Sequence, residues 1–118
     1  MNMHCKYVSA SEAGDYYQVL FEERAYPDDT NYEDELYFLI QRQFEFPDNG
    51  CCYVESHDEA YRGHFRFSRA ELSRSHLQLQ LSRPRCSHVE ITFETSDENY
   101  REAQRILQIM IPALQTLE

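Results

Sequence analysis

The sequence predicts an α+β fold: an antiparallel β-sheet of six to seven strands with one C-terminal α-helix packed on one face. Three observations predict it. In His76 to Ser82, Leu77, Leu79 and Leu81 alternate with polar residues, and His88 to Thr95 repeats the pattern with Val89, Ile91 and Phe93. Strict alternation makes a strand with one dry and one wet face, which favours antiparallel pairing over a parallel sheet covered on both sides. Downstream, Tyr100, Ala103, Leu107, Met110 and Leu114 make a helical stripe, widened by Ile106 and Ile111, that can cover the dry face.

The elements follow in order. Cys5 to Ser9 reads as the first strand, and Ser11 to Asp15 as a turn in which Gly14 supplies a permissive backbone. Tyr16 to Arg24 is the next strand. Tyr17, Val19 and Phe21 share a face, but Leu20 spoils the alternation. Pro27 to Asp34 is a solvated loop, because Asp and Asn side chains favour local turns and its like charges repel. Glu35 to Phe46 is the longest strand candidate. Phe38, Ile40, Phe44 and Phe46 alternate there, while Leu39 puts an apolar residue on the other face, the mark of a central strand or an interface.

Pro47-Asp48-Asn49-Gly50 is a turn signal, so Cys51 to Ser56 returns antiparallel to the preceding strand. Tyr61 to Ser68 is a further strand, and Ser68 to Ser75 reads as a bend or short turn. Arg83-Pro84-Arg85 ends the Leu77 strand. At the helix start, Thr95 as N-cap and Glu98 three residues on form a capping box, with Asp97 and Glu98 at the positive end of the helix dipole. Pro112 removes a helical hydrogen bond, so the helix kinks or ends near Met110 to Ile111.

A length of 118 residues predicts a single domain, 1–118, with enough chain to bury a core without staples. No apolar run approaches the roughly 20 residues that cross a bilayer, and the N-terminus lacks the pattern of a secretory signal. A cytoplasmic location is the expectation, with reduced thiols at Cys5, Cys51, Cys52 and Cys86. The adjacent pair points to opposite strand faces, and no metal-type spacing occurs.

The formal net charge is −10, unevenly spread. From Glu12 to Glu35 the acids face only Arg24, whereas from Arg62 to Arg85 six arginines face only Glu71. The acidic whole argues against nucleic acid as a direct ligand and favours a basic protein partner reached by electrostatic steering. His64, His76 and His88 fall on polar strand faces without metal spacing, and Ser56, His57 and Asp58 are merely adjacent in sequence. No nucleophile elbow, phosphate loop or Cys-x-x-Cys occurs. No enzyme, cofactor, metal site or membrane partner is therefore expected.

Tyr37 to Glu45, Cys52 to Glu55, Tyr61 to His64, Ser68 to Leu72, Leu77 to Leu81 and Val89 to Phe93, followed by the last helix, resemble in their ordered succession the Immunity protein 10 family. These are small intracellular antidotes of bacterial polymorphic-toxin systems. The resemblance spans Leu36 to Ile111, about two-thirds of the chain. It implies a protein, monomer or homodimer, that binds a cognate toxin and neutralises it without catalysis. It implies no particular contact residues. Charge and exposure select Glu22, Glu23, Asp28, Asp29, Tyr32, Glu33 and Asp34, whose carboxylates would meet a basic toxin surface. Two other classes fit the same composition: a secretion chaperone or adaptor for an effector, and a small enzyme that uses the histidine-bearing polar face.

Overall fold

The computed structural model describes residues 1–23, 36–43 and 51–117. The α+β class holds: the described residues form ten strands, one short 3-10 turn at Glu59–Tyr61 and one C-terminal α-helix. The strands form two five-stranded sheets, where the sequence predicted one sheet of six to seven. The first sheet contains β1 (Asn2–Cys5), β7 (Phe67–Ser73), β8 (His76–Leu81), β9 (His88–Phe93) and β10 (Gln115–Thr116), in the order β1-β9-β8-β7-β10. The second contains β2 (Tyr7–Ala13), β3 (Tyr16–Glu22), β4 (Tyr37–Gln43), β5 (Cys52–Ser56) and β6 (Gly63–Phe65), in sequence order. The second sheet is antiparallel throughout. The first has parallel pairs at both edges, β1 with β9 and β10 with β7.

Two slips in the alternation divide the strands. Met3 and Cys5 are buried on β1, but the buried residue after the Lys6 bend is Val8, so the inward phase moves from odd to even positions. Phe65 and Phe67 are half-buried, and then Ala70 and Leu72 are buried, with a register irregularity between Phe67 and Arg69. A one-residue slip would turn the apolar side chains of a continuing strand outward. Here the chain bends and enters the other sheet. Backbone pairing persists at both corners: Lys6 N donates to Glu22 O at 3.2 Å and Ser82 N to Arg66 O at 2.8 Å.

The expected first strand, Cys5 to Ser9, is thus two strands, and the hairpin turn falls at Gly14-Asp15, where Gly14 has φ 63°. The bend expected over Ser68 to Ser75 is mostly strand β7. Its Ala70 and Leu72 alternate inward, and only Arg74-Ser75 turns. The Asn49-Gly50 turn lies outside the described residues, but β4 and β5 pair antiparallel, Phe38 opposite Ser56 and Ile40 opposite Val54.

Both sheets turn their dry faces into one core. Phe21 of β3 meets Phe93 of β9 with ring centroids 5.6 Å apart. The helix α1 (Asp97–Met110) adds Ala103, Ile106, Leu107 and Met110 and lies against β2 and β3. Its N-cap is Ser96, one residue later than expected. The Ser96 hydroxyl accepts from Asn99 N at 3.1 Å, so Asn99, not Glu98, occupies the third helical position. The helix ends at Met110, two residues before Pro112. Arg42 Nη1 donates to Met110 O at 3.1 Å and Cys52 Sγ to the same oxygen at 3.6 Å. A guanidinium at the negative end of the helix dipole is favourable there.

Candidate protein-binding face

Each sheet leaves one face outward. On β4, Phe38 and Ile40 point inward and are fully buried, so Tyr37, Leu39 and Gln41 point outward. The same parity sends Gln18, Leu20 and Glu22 of β3, and Tyr53 and Glu55 of β5, to the outer face of the second sheet. The register aligns them: Glu22 opposite Tyr37, Leu20 opposite Leu39, Leu39 opposite Glu55, and Gln41 opposite Tyr53. Leu20 and Leu39, the two exceptions to the expected alternation, are therefore cross-strand neighbours. Both are half-buried, and neither belongs to the core or to the apolar side chains packed against it. Among the described residues no helix crosses this face.

Beside the leucines, Glu55 receives two phenols. Tyr53 donates its hydroxyl to Oε1 at 2.9 Å, and Tyr37 donates to Oε2 at 3.2 Å. The hydrogen bond to Glu55 holds the Tyr53 phenol above its ordinary pKa. Burial, then Glu55, does so for Tyr37, with Arg62 pulling the other way. Gln41 donates to Gln18 at 3.1 Å, His57 contacts Tyr37 through its backbone, and the His64 ring lies 5.4 Å from that of Tyr53. Among the described residues no basic side chain stands within ion-pair distance of Glu55.

Of the residues selected by charge, Glu22 and Glu23 lie at the end of this sheet, both half-buried. Glu23 accepts from Leu36 N at 3.4 Å. Glu22 lines a cleft of about 360 Å³ with Lys6, Tyr7 and Ser9 and with Thr95, Ser96 and Asn99 at the helix start. Both acids sit near buried Cys5, whose thiol is pushed up to about 12, first by burial and then by Glu23 and Glu22. Asp28, Asp29, Tyr32, Glu33 and Asp34 lie outside the described residues. Because Glu22 and Tyr37 are partners in register, the acidic connection between β3 and β4 starts and returns at this end of the sheet.

The histidines do not converge. His76 and His88 share Glu90 on the outer face of the first sheet, at 2.8 and 3.4 Å, while His64 lies on β6 of the second. No group of three or more potential metal ligands occurs among the described residues. The arginine-rich stretch is largely used internally. Arg62 donates to Ser56 O at 2.8 Å, Arg69 pairs with Glu71 at 2.6 Å and Arg74 with Asp97 at 2.7 Å. Arg83 donates to Cys86 O at 2.7 Å and stacks over Phe65 at 4.5 Å and Tyr61 at 5.4 Å.

Charge counting missed Leu20, Leu39, Tyr37, Tyr53 and Glu55. The signal for the leucines was present as broken alternation. The convergence of the tyrosines on Glu55 was not, because it depends on the β4–β5 register. No protein-family model, curated protein or solved structure matches the chain. No helix among the described residues is long and apolar enough to cross a membrane.

Proposed function

We infer that the chain is an immunity protein that binds a cognate toxin with a basic surface and neutralises it without catalysis. The observation that carries this reading is the outer face of the second sheet. Half-buried leucines and tyrosines lie in register there, with Glu22 and Glu23 at one end. Apolar and aromatic anchors supply contact area, while carboxylates steer a basic partner and fix its orientation. A net charge of −10 extends that steering field beyond the face itself. The resemblance of Leu36 to Ile111 to the Immunity protein 10 family supplies the class of partner.

In this reading the acidic connection, with Asp28, Asp29, Tyr32, Glu33 and Asp34, meets arginines or lysines around the toxin's active site. The test pairs the chain with the toxin domain encoded beside it. The wild-type chain forms a stable complex and abolishes toxin activity at equimolar ratio. Reversing Asp28, Asp29, Glu33 and Asp34 to Lys slows association and flattens its salt dependence. Unchanged affinity and salt slope would remove the acidic connection from the interface, and absence of any complex would remove the immunity reading.

A further inference from the structure

We propose that Glu55, clamped between Tyr53 and Tyr37, is the seat for one arginine side chain of the protein partner. This rests on the reading of the outer face as the partner-binding surface and names the chemistry that it takes. Each Glu55 oxygen already accepts one phenolic hydrogen, at 2.9 Å from Tyr53 and 3.2 Å from Tyr37. Those two bonds fix the carboxylate before anything binds. A carboxylate oxygen has two lone-pair sites, so each keeps one for a second donor. A guanidinium offers two parallel N–H groups in a rigid fork that matches a fixed carboxylate, which an ammonium cannot do.

The surroundings favour the same ligand. Tyr37 and Tyr53 present aromatic rings beside the carboxylate, where a cation is attracted to a ring face. Leu39 lies opposite Glu55 in register and Leu20 opposite Leu39, so the methylene stem of an arginine has an apolar track. The chain's own Arg62 reaches Ser56 O at 2.8 Å and lowers the Tyr37 phenol, so a guanidinium is already accommodated at the margin of the cluster. Among the described residues no ion pair joins it to Glu55, although its charge is felt by both phenols. Glu55 holds two neutral donors and no direct ion pair, with Arg62 standing on the Tyr37 side, so a partner's guanidinium would bring the direct counter-charge.

The probe is acetyl-arginine-N-methylamide, titrated into the full chain and followed by amide proton–nitrogen correlation spectra. The neutral isostere acetyl-citrulline-N-methylamide and the lysine analogue serve as comparators. Saturable shifts centred on Tyr37, Leu39, Tyr53 and Glu55 are expected, strongest for arginine. Glu55→Gln weakens arginine binding about tenfold or more and Tyr53→Phe a few-fold, both with unchanged spectral dispersion elsewhere. In the complex with the toxin domain, Glu55→Gln weakens affinity by a similar factor.

Equal binding of citrulline, shifts centred elsewhere, or insensitivity to Glu55→Gln would each overturn the proposal. So would probe-free, concentration-dependent shifts of the same amides, which would mean that a second copy covers the face. The immunity reading is judged separately, by complex formation and neutralisation with the wild-type chain, so either can fail while the other stands.

Discussion

The outer faces of the two sheets share an architecture, five strands above a common core, and differ in how their side chains are satisfied. On the first sheet, Glu90 takes His76 and His88, His4 contacts Thr92 at 2.8 Å and Glu94 at 3.5 Å, and Arg69 takes Glu71. Those charges find partners within the face, in positions where exposed pairs contribute little stability. The second face puts Leu20 beside Leu39 and aims two tyrosines at one carboxylate. A face whose polar groups answer one another needs nothing further from outside. One that leaves leucines half-exposed beside a carboxylate held by two phenols and by no ion pair is suited to a partner.

The largest expected effect tests whether the two sheets can be compared as parts of one body. Phe21 is fully buried and touches Phe93 across the sheets, so Phe21→Ala should cost about 3–5 kcal/mol in urea unfolding. Fluorescence and circular dichroism should still report a single transition. Separate transitions would mean that each sheet holds its own core.

The next test sets face against face. Leu20→Ser with Leu39→Ser should weaken binding to the proposed toxin partner about thirtyfold or more, the equivalent of a hot-spot loss of about 2 kcal/mol. The mirror variant on the first sheet, Gln78→Ala with Gln80→Ala, should leave binding unchanged. Calorimetric titration of both variants would invert the comparison if the outcomes were exchanged.

A smaller effect belongs to the helix that completes the core beside the second sheet. Ser96→Ala should lower stability by about 1 kcal/mol and Thr95→Ala by clearly less, because the Ser96 hydroxyl meets Asn99 N. Equal losses in urea unfolding would return the cap to Thr95.

The smallest effect reports the first face. Hydrogen bonds from His76 and then His88 hold the Glu90 carboxyl below its ordinary value of 4.5. A depressed folded pKa contributes stability that is present above 4.5 and lost as pH falls through the lower folded value. Urea midpoints at pH 5 and pH 3 should therefore fall more for the wild-type chain than for Glu90→Gln. Equal falls would mean that the histidine–Glu90 pairs do not couple to folding.

The two faces also differ in how much of each could be read from residues alone. The first sheet's central strands were legible: Leu77, Leu79 and Leu81, then Val89, Ile91 and Phe93, are buried as their alternation requires. The helix stripe was legible too, and so was its end ahead of Pro112. β10 was not, since Gln115 and Thr116 carry no alternation and pair with β7 through the tertiary fold. On the second face, Leu20 and Leu39 stood out one at a time, as faults in a pattern, and nothing local said that they meet.

Sequence alone determined which residues of His76–Leu81 and His88–Phe93 turn inward and why the helix stops ahead of Pro112, because these follow from short-range periodicity and a proline. Tertiary structure alone decided that the phase slips near Lys6 and Ser68 become corners between two sheets. It also decided that Leu20 faces Leu39, that Tyr37 and Tyr53 share Glu55, and that His64 is parted from His76 and His88. Strand partners are chosen by burying both dry faces in one core, a condition on the whole chain that no single stretch of residues contains.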